Sequence, residues 1–338
     1  MQHSTRFRRL CTALTLVVSA VAAMACAAPA RPDSERSTAP VRVVSEQRVD
    51  DRIVDLMLHS PSLGAEVAVR LITPQGWTDR APHRRWPVLY LLPGGDGDHT
   101  GWTTDTNVAN LPQLRDVLVV VPGMPMFGFY TDWHDGTPAV ESFHLDELLP
   151  LLERDYGASD HRVIAGVSQG GYGALAYAAR RPGLFRAAAS YSGWLHPLQR
   201  ADIVLGAARF VDIDDGTRIW GDPIRDRATW AAHDPYHLSD KLTAIPIFLS
   251  SGDGAPGEFD PPDLQRAPLF DEIDRHAAEF PDAVDLTEAV MHESTRAVAD
   301  RLRQLGAQPV VHLTRGTHSP PYWRRELDRS LPMLLAAL

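Results

Sequence analysis

The stretch Ile164–Gly173, IAGVSQGGYG, sets Ser168 between Gly166 and Gly170 and adds Gly171 and Gly173 just beyond. A serine hydroxyl is a weak nucleophile until a base takes its proton and a third group orients that base. The glycine spacing fits a sharp strand-to-helix turn that lifts the hydroxyl out of the backbone. The apolar run HRVIAG precedes the serine and the helical pattern GGYGALAYAA follows it, as such a turn requires.

Of the chain's 14 histidines, His318 stands in LTRGTHSPPYW, directly after the last strand-like run. Hydrolases with this turn order their catalytic groups serine, acid, histidine along the chain, which makes His318 the candidate base. The acid should follow the run IPIFLSSG, where Asp253 and Glu258 both stand. Position alone leaves both open. Acyl transfer also needs N–H donors for a developing oxyanion. Gln169, the residue after the serine, should supply one, and Gly95, in the loop after WPVLYLLPGG, the other. That glycine-rich loop lacks the lysine and spacing of a phosphate cradle.

The elements that must hold these groups alternate. EVAVRLITP reads as a half-buried strand. Continuous apolar runs in WPVLYLLPGG, DVLVVVPGM, HRVIAG, AAASYSGWL, IPIFLSSGDG and PVVHLTRG read as central strands. Between them lie the helical patterns ESFHLDELLPLLERDY, GALAYAARRP and LTEAVMHESTRAVADRLRQLG, with WRRELDRSLPMLLAAL at the end. Strands alternating with helices predict an α/β fold, a mostly parallel sheet covered on both faces, with its site at the carboxyl ends of the strands.

Composition sets the limits. The 338 residues are 44% hydrophobic and carry a formal charge of −10, which argues against a nucleic-acid partner. The first residues carry Arg6, Arg8 and Arg9, then an apolar run from Leu10 to Ala25, the pattern of an export signal over residues 1–27. Cys26 follows Ala23-Met24-Ala25, loosely like a lipidation site, so a secreted or envelope-attached protein is expected. Residues 28–45 read as a polar, proline-rich tether and 46–338 as one catalytic domain. The other cysteine, Cys11, lies in the signal, so the domain has no disulfide to rely on. HDPYH (His233–His237) has a metal-like spacing, but Pro235 breaks a helix there and no third ligand is near in sequence. No metal or cofactor is expected. Trp102, Trp133, Trp194, Trp220 and Trp323 are expected in the core or the cleft walls.

FYTDW (Phe129–Trp133), SGDGAPGE (Ser251–Glu258), IWGDP with WAAHDP, and GTHSPPYWRREL occur in the order found in the esterase D / antigen 85 group of α/β-hydrolases, which includes secreted mycolyltransferases. The resemblance spans roughly Val67 to Leu327. It implies an α/β-hydrolase fold with Ser168 as nucleophile, His318 as base, and Gly95 and Gln169 as oxyanion donors. It also implies Glu258 as the acid, because the family's acid closes a GxGxPxE block. Where the mycolyltransferases carry polar groups for their sugar, this chain has Pro93, Asp96 and His196, and Pro320 replaces a tryptophan. The expected activity is therefore hydrolysis of small-molecule or lipid esters through an acyl-serine. Acyl transfer to a sugar or lipid hydroxyl is the alternative, and a non-catalytic adhesin a third. The segment 259–293 is longer than in those relatives; LFDEIDRHAAEF suggests a helix presenting Leu269, Phe270, Ile273, Ala277 and Phe280 over the cleft.

Overall fold

The computed structural model describes residues 40–77 and 84–338. The proposed signal, both cysteines and most of the proposed tether lie outside them. Among the described residues, nine strands form one sheet in the order β1-β2-β3-β5-β4-β6-β7-β8-β9. The strands are β1 (Arg42–Arg48), β2 (Ile53–Ser60), β3 (Ala65–Ile72), β4 (Trp86–Leu92), β5 (Leu118–Pro122), β6 (Ala158–Val167), β7 (Ala188–Tyr191), β8 (Ile247–Gly252) and β9 (Val310–Thr314). The first three pair antiparallel. From β5 through β4 and on to β9 every pairing is parallel. All seven strand-like runs are strands. β1 and β2 are additional, and β1 begins at Arg42, inside the stretch assigned to the tether.

The central strands are apolar on both sides because both faces are covered. Along β4, Val88, Tyr90 and Leu92 face one core while Leu89 and Leu91 face the other. The first core is closed by α1 (Leu149–Asp155), α2 (Gln169–Arg180), α3 (Ala201–Phe210) and α4 (Leu286–Gln304). The second is closed by Trp102 and by Leu327, Leu331 and Leu334 of α5 (Pro320–Ala336). A π-helical segment, Ser142–Leu148, leads into α1.

The segment after β8 departs from expectation. LFDEIDRHAAEF holds only one α-helical turn, Asp271–Asp274, and a 3₁₀ turn, Ala277–Glu279. The Arg266 guanidinium takes the carbonyls of Phe280 (2.6 Å), Ala283 and Ala277 (3.3 Å), and Pro281 supplies no N–H to a helix. An arginine fork thus organises backbone that the apolar spacing alone assigned to a helix.

Candidate active site

Ser168 sits between the end of β6 and the first residue of α2 with φ 56° and ψ −125°, a conformation that costs a non-glycine residue energy and recurs at functional turns. The flanking glycines are explained by what a Cβ would strike. On Gly166 it would lie 2.2 Å from the Gly170 carbonyl oxygen, and on Gly170 2.3 Å from that of Pro93. The turn closes only with glycine at both places. Gln169 heads α2, so its N–H is one that no earlier helical turn can use.

The Gly95 loop is held against this turn by a second strained segment. Phe127, Phe129 and Tyr130 all have φ between 45° and 59°. Phe127 N–H donates to the Gly95 carbonyl (2.6 Å), Tyr130 Oη–H to the Pro93 carbonyl (2.6 Å), and Phe129 N–H to Gln169 Oε1 (3.0 Å). The Gln169 side chain is thereby tied to that segment, and Gln169 and Gly95 both line a cavity at Ser168.

His318 follows β9 and lines the same cavity as Ser168. Its Nδ1 is 2.6 Å from Oε2 of Glu288, in the first turn of α4. Glu288 was not among the sequence candidates. Its side chain is 0% exposed, and its Oε1 accepts from Ser192 Oγ (2.8 Å), Ser251 Oγ (2.8 Å) and Gly252 N–H (2.6 Å). Four donors thus converge on this one buried carboxylate, as a buried polar group requires. Asp285 completes the frame: Oδ1 caps α4 through Glu288 N–H (3.1 Å) and Oδ2 accepts from His318 N–H (2.8 Å). Burial pulls the His318 imidazolium down, but the hydrogen bond and charge of Glu288, with the charge of Asp285, outweigh it, and its pKa stands above the ordinary imidazole value.

The two expected acids are elsewhere. The side chain of Glu258 is 61% exposed and paired with Arg325. Asp253 Oδ1 accepts from Ala255 N–H (2.9 Å) and shapes the turn after β8. The carboxylate on His318 is therefore Glu288 and not the expected Glu258. A signal existed in the sequence: Glu288, Met291, Thr295 and Val298 share one helical face, and all four are buried. A carboxylate in such a stripe needs a partner.

Two cavities meet at Ser168. One, of about 350 Å³, is bounded by Gly95, Asp96, Trp102, Asp105, His318 and Trp323. The other, of about 170 Å³, is apolar, with Trp194, Ile203, Ala207, Phe270, Ile273 and Met291 in its wall. Leu269 and Phe210 form its exposed rim. The segment after β8 supplies Leu269, Phe270 and Ile273. It is fastened to α3 by the Phe210–Phe270 ring contact (5.7 Å), His276 to Asp202 (2.9 Å), and Arg209 to Glu272. Of the tryptophans, Trp102, Trp194 and Trp323 border the cavities.

The HDPYH loop gains a third group that sequence distance hid. His196, Asp234 and His237 converge, with His196 Nδ1 2.8 Å from Asp234 Oδ2. The buried Asp234 carboxylate also accepts from Leu198 N–H (3.0 Å) and Tyr236 N–H (2.9 Å), which makes it the tie between two loops. His233 turns away to the Thr229 carbonyl (2.8 Å).

A mostly parallel sheet covered on both faces, with a strained serine turn after β6 and a histidine loop after β9, defines an α/β-hydrolase. Among solved structures, MPT51 of Mycobacterium tuberculosis superposes with a TM-score of 0.64 at 24% identity, covering 88% of this chain and 99% of that one. An S-formylglutathione hydrolase from Agrobacterium tumefaciens gives 0.60 at 16% identity over 87% and 99%. The chain belongs to the Esterase family, described as "Putative esterase", which matches residues 60–334. It is 31% identical to Esterase Rv1288 of Mycobacterium tuberculosis over 63% of this chain and 48% of that protein, and so spans about half that relative's length. It is 27% identical to the diacylglycerol acyltransferase/mycolyltransferase Ag85B of Mycolicibacterium smegmatis over 84% of each.

Proposed function

We propose that this chain is an exported serine esterase that cleaves carboxylic esters through an acyl-enzyme on Ser168. The observation that carries the reading is the buried Glu288–His318 pair, set beside a strained serine where an apolar cavity and a larger one of mixed lining meet. In this reading Ser168 Oγ attacks the ester carbonyl carbon while His318 Nε2 takes its proton. The Gly95 and Gln169 N–H groups receive the oxyanion. Collapse breaks the bond to the alcohol, which leaves with the proton from His318, and water repeats the sequence to release the acid. Glu288 holds the imidazole with its proton on Nδ1. Export rests on the basic and apolar N-terminal sequence.

Transfer to a hydroxyl acceptor is the second reading, favoured by the likeness to a mycolyltransferase along 84% of the chain. Hydrolysis and transfer share the acyl-enzyme and differ in what attacks it.

The apolar cavity is assigned to the acyl chain, and a p-nitrophenyl ester series tests both that assignment and the activity. The wild type is expected to hydrolyse the butyrate through decanoate esters. Ala207→Leu, which projects into the cavity wall, should lower the decanoate/butyrate ratio of kcat/KM by about tenfold, at about 0.8 kcal/mol per methylene excluded. An unchanged ratio would place the acyl chain elsewhere, and no hydrolysis of any member would refute the esterase reading.

The pH profile follows from the direction of the His318 shift. The imidazole is a base only when neutral, so a raised pKa delays activity to higher pH. The rise of kcat/KM should have its midpoint above pH 6.5, the ordinary value from which His318 is raised. A midpoint below that value would mean that burial outweighs Glu288 and Asp285 together.

A further inference from the structure

The larger of the two cavities at Ser168 carries an unbalanced charge. Asp96 and Asp105 are both in its wall, together with the indoles of Trp102 and Trp323, and no arginine or lysine is among its lining residues. An Asp96 carboxylate oxygen and the Ser168 Cβ flank one point, 3.7 and 3.8 Å from where a Cβ on Gly94 would sit. Asp96 and Ser168 thus lie on either side of Gly94 and line the same cavity. The other carboxylate is felt by its neighbours: burial, then the charges of Asp96 and Asp98, push the Asp105 carboxyl above its ordinary value.

Nearby basic groups are committed elsewhere. Arg70 is forked onto Asp55 through Nε and Nη2, both at 2.7 Å, and gives Nη1 to Thr103 Oγ1. Arg324 reaches the main-chain carbonyl of Asp105 (3.0 Å) rather than its carboxylate. Burial lowers the His99 pKa, which keeps that ring neutral near pH 7. Asp98 turns its oxygens to the N–H and hydroxyl of Thr100, both at 2.7 Å.

With the acyl chain assigned to the apolar side, the alcohol of the ester falls on this side of Ser168. We propose that this cavity selects a positively charged alcohol: Asp96 and Asp105 attract an ammonium group, and the indoles of Trp102 and Trp323 wall the space it enters. The inference rests on the esterase reading and adds the substrate class. A cation there relieves the repulsion between the two carboxylates, whereas an anionic alcohol would add to it. No new chemical step is involved. The ammonium group steers and holds the leaving alcohol, which departs with the proton from His318.

Butyrylcholine and 3,3-dimethylbutyl butyrate have the same acyl group and nearly the same shape, and differ by the charge. At low ionic strength kcat/KM for butyrylcholine is expected to exceed that of the neutral isostere by about tenfold. The ratio should shrink as salt is added, because the carboxylates are reached through solvent. In Asp96→Asn/Asp105→Asn the ratio should fall to about one. p-Nitrophenyl butyrate is run alongside. If it is turned over while the two isosteres react equally, the charge selection is overturned and the esterase reading stands. A choline preference that survives the double substitution, or a glucose 6-butyrate ester preferred to both, also overturns it. If p-nitrophenyl butyrate is not turned over, both readings fall together.

Discussion

Glu288→Gln is expected to lower kcat for p-nitrophenyl butyrate by about 10³–10⁴-fold, the scale seen when a triad acid becomes its amide. The reason is the proton on the ring. Glu288 Oε1 accepts three donors from Ser192, Ser251 and Gly252, so the amide of a glutamine would keep its carbonyl there and turn its NH₂ toward His318. An NH₂ can only donate, which forces Nδ1 to become the acceptor and places the ring proton on Nε2. An Nε2 that carries a proton cannot take one from Ser168. The fold should survive, because the three donors stay satisfied. The comparison that decides is Glu258→Gln, which removes one partner from a solvent-exposed pair with Arg325 and should change kcat less than about twofold. If Glu258→Gln proves the more damaging, the structure's assignment fails and the motif's acid returns. Loss of activity in Glu288→Gln with a collapsed thermal transition would mark the residue as structural.

Ser168→Ala should abolish esterase turnover, to below about one thousandth of wild type, and abolish labelling by a fluorophosphonate probe. The hydroxyl is the proposed attacking group, and no second nucleophile is proposed. Alanine keeps the Cβ, so the positive φ of the turn costs what it cost before and Tm should shift by no more than about 2 °C. This pairing of lost labelling with retained stability separates an enzyme from an adhesin that kept the fold. Wild-type turnover by the variant would sink the acyl-serine mechanism outright.

The fold and half of the site were legible because their signals are local. The alternating EVAVRLITP became β3 and six apolar runs bounded by glycine and proline became β4 to β9; β4, β5, β7 and β8 are apolar along their length because both of their faces are covered. The serine turn was legible because its glycines answer a local steric demand, visible in the 2.2 Å approach of the Gly170 carbonyl to any Cβ on Gly166. β2 was missed although its burial alternates along IVDLMLHS, and β1 was missed because all seven of its residues are exposed. An edge strand held mainly by pairing carries little hydrophobic pattern.

The acid was decided by tertiary structure alone. Sequence offered carboxylates soon after β8, and the one local mark on Glu288, its place in the buried stripe of a helix 30 residues before His318, says that it needs a partner but not which one. The choice depends on which oxygen reaches the imidazole once α4 packs beside the end of β8. There Asp253 is absorbed by its own turn, Glu258 faces water and Arg325, and Glu288 is sealed among four donors. The sequence by itself determined a serine turn, a histidine loop and the sheet that brings them to one edge. Which carboxylate orients the histidine, and which loop walls the acyl cavity, are questions of distance and burial between segments far apart in the chain, and only the packed structure sets those.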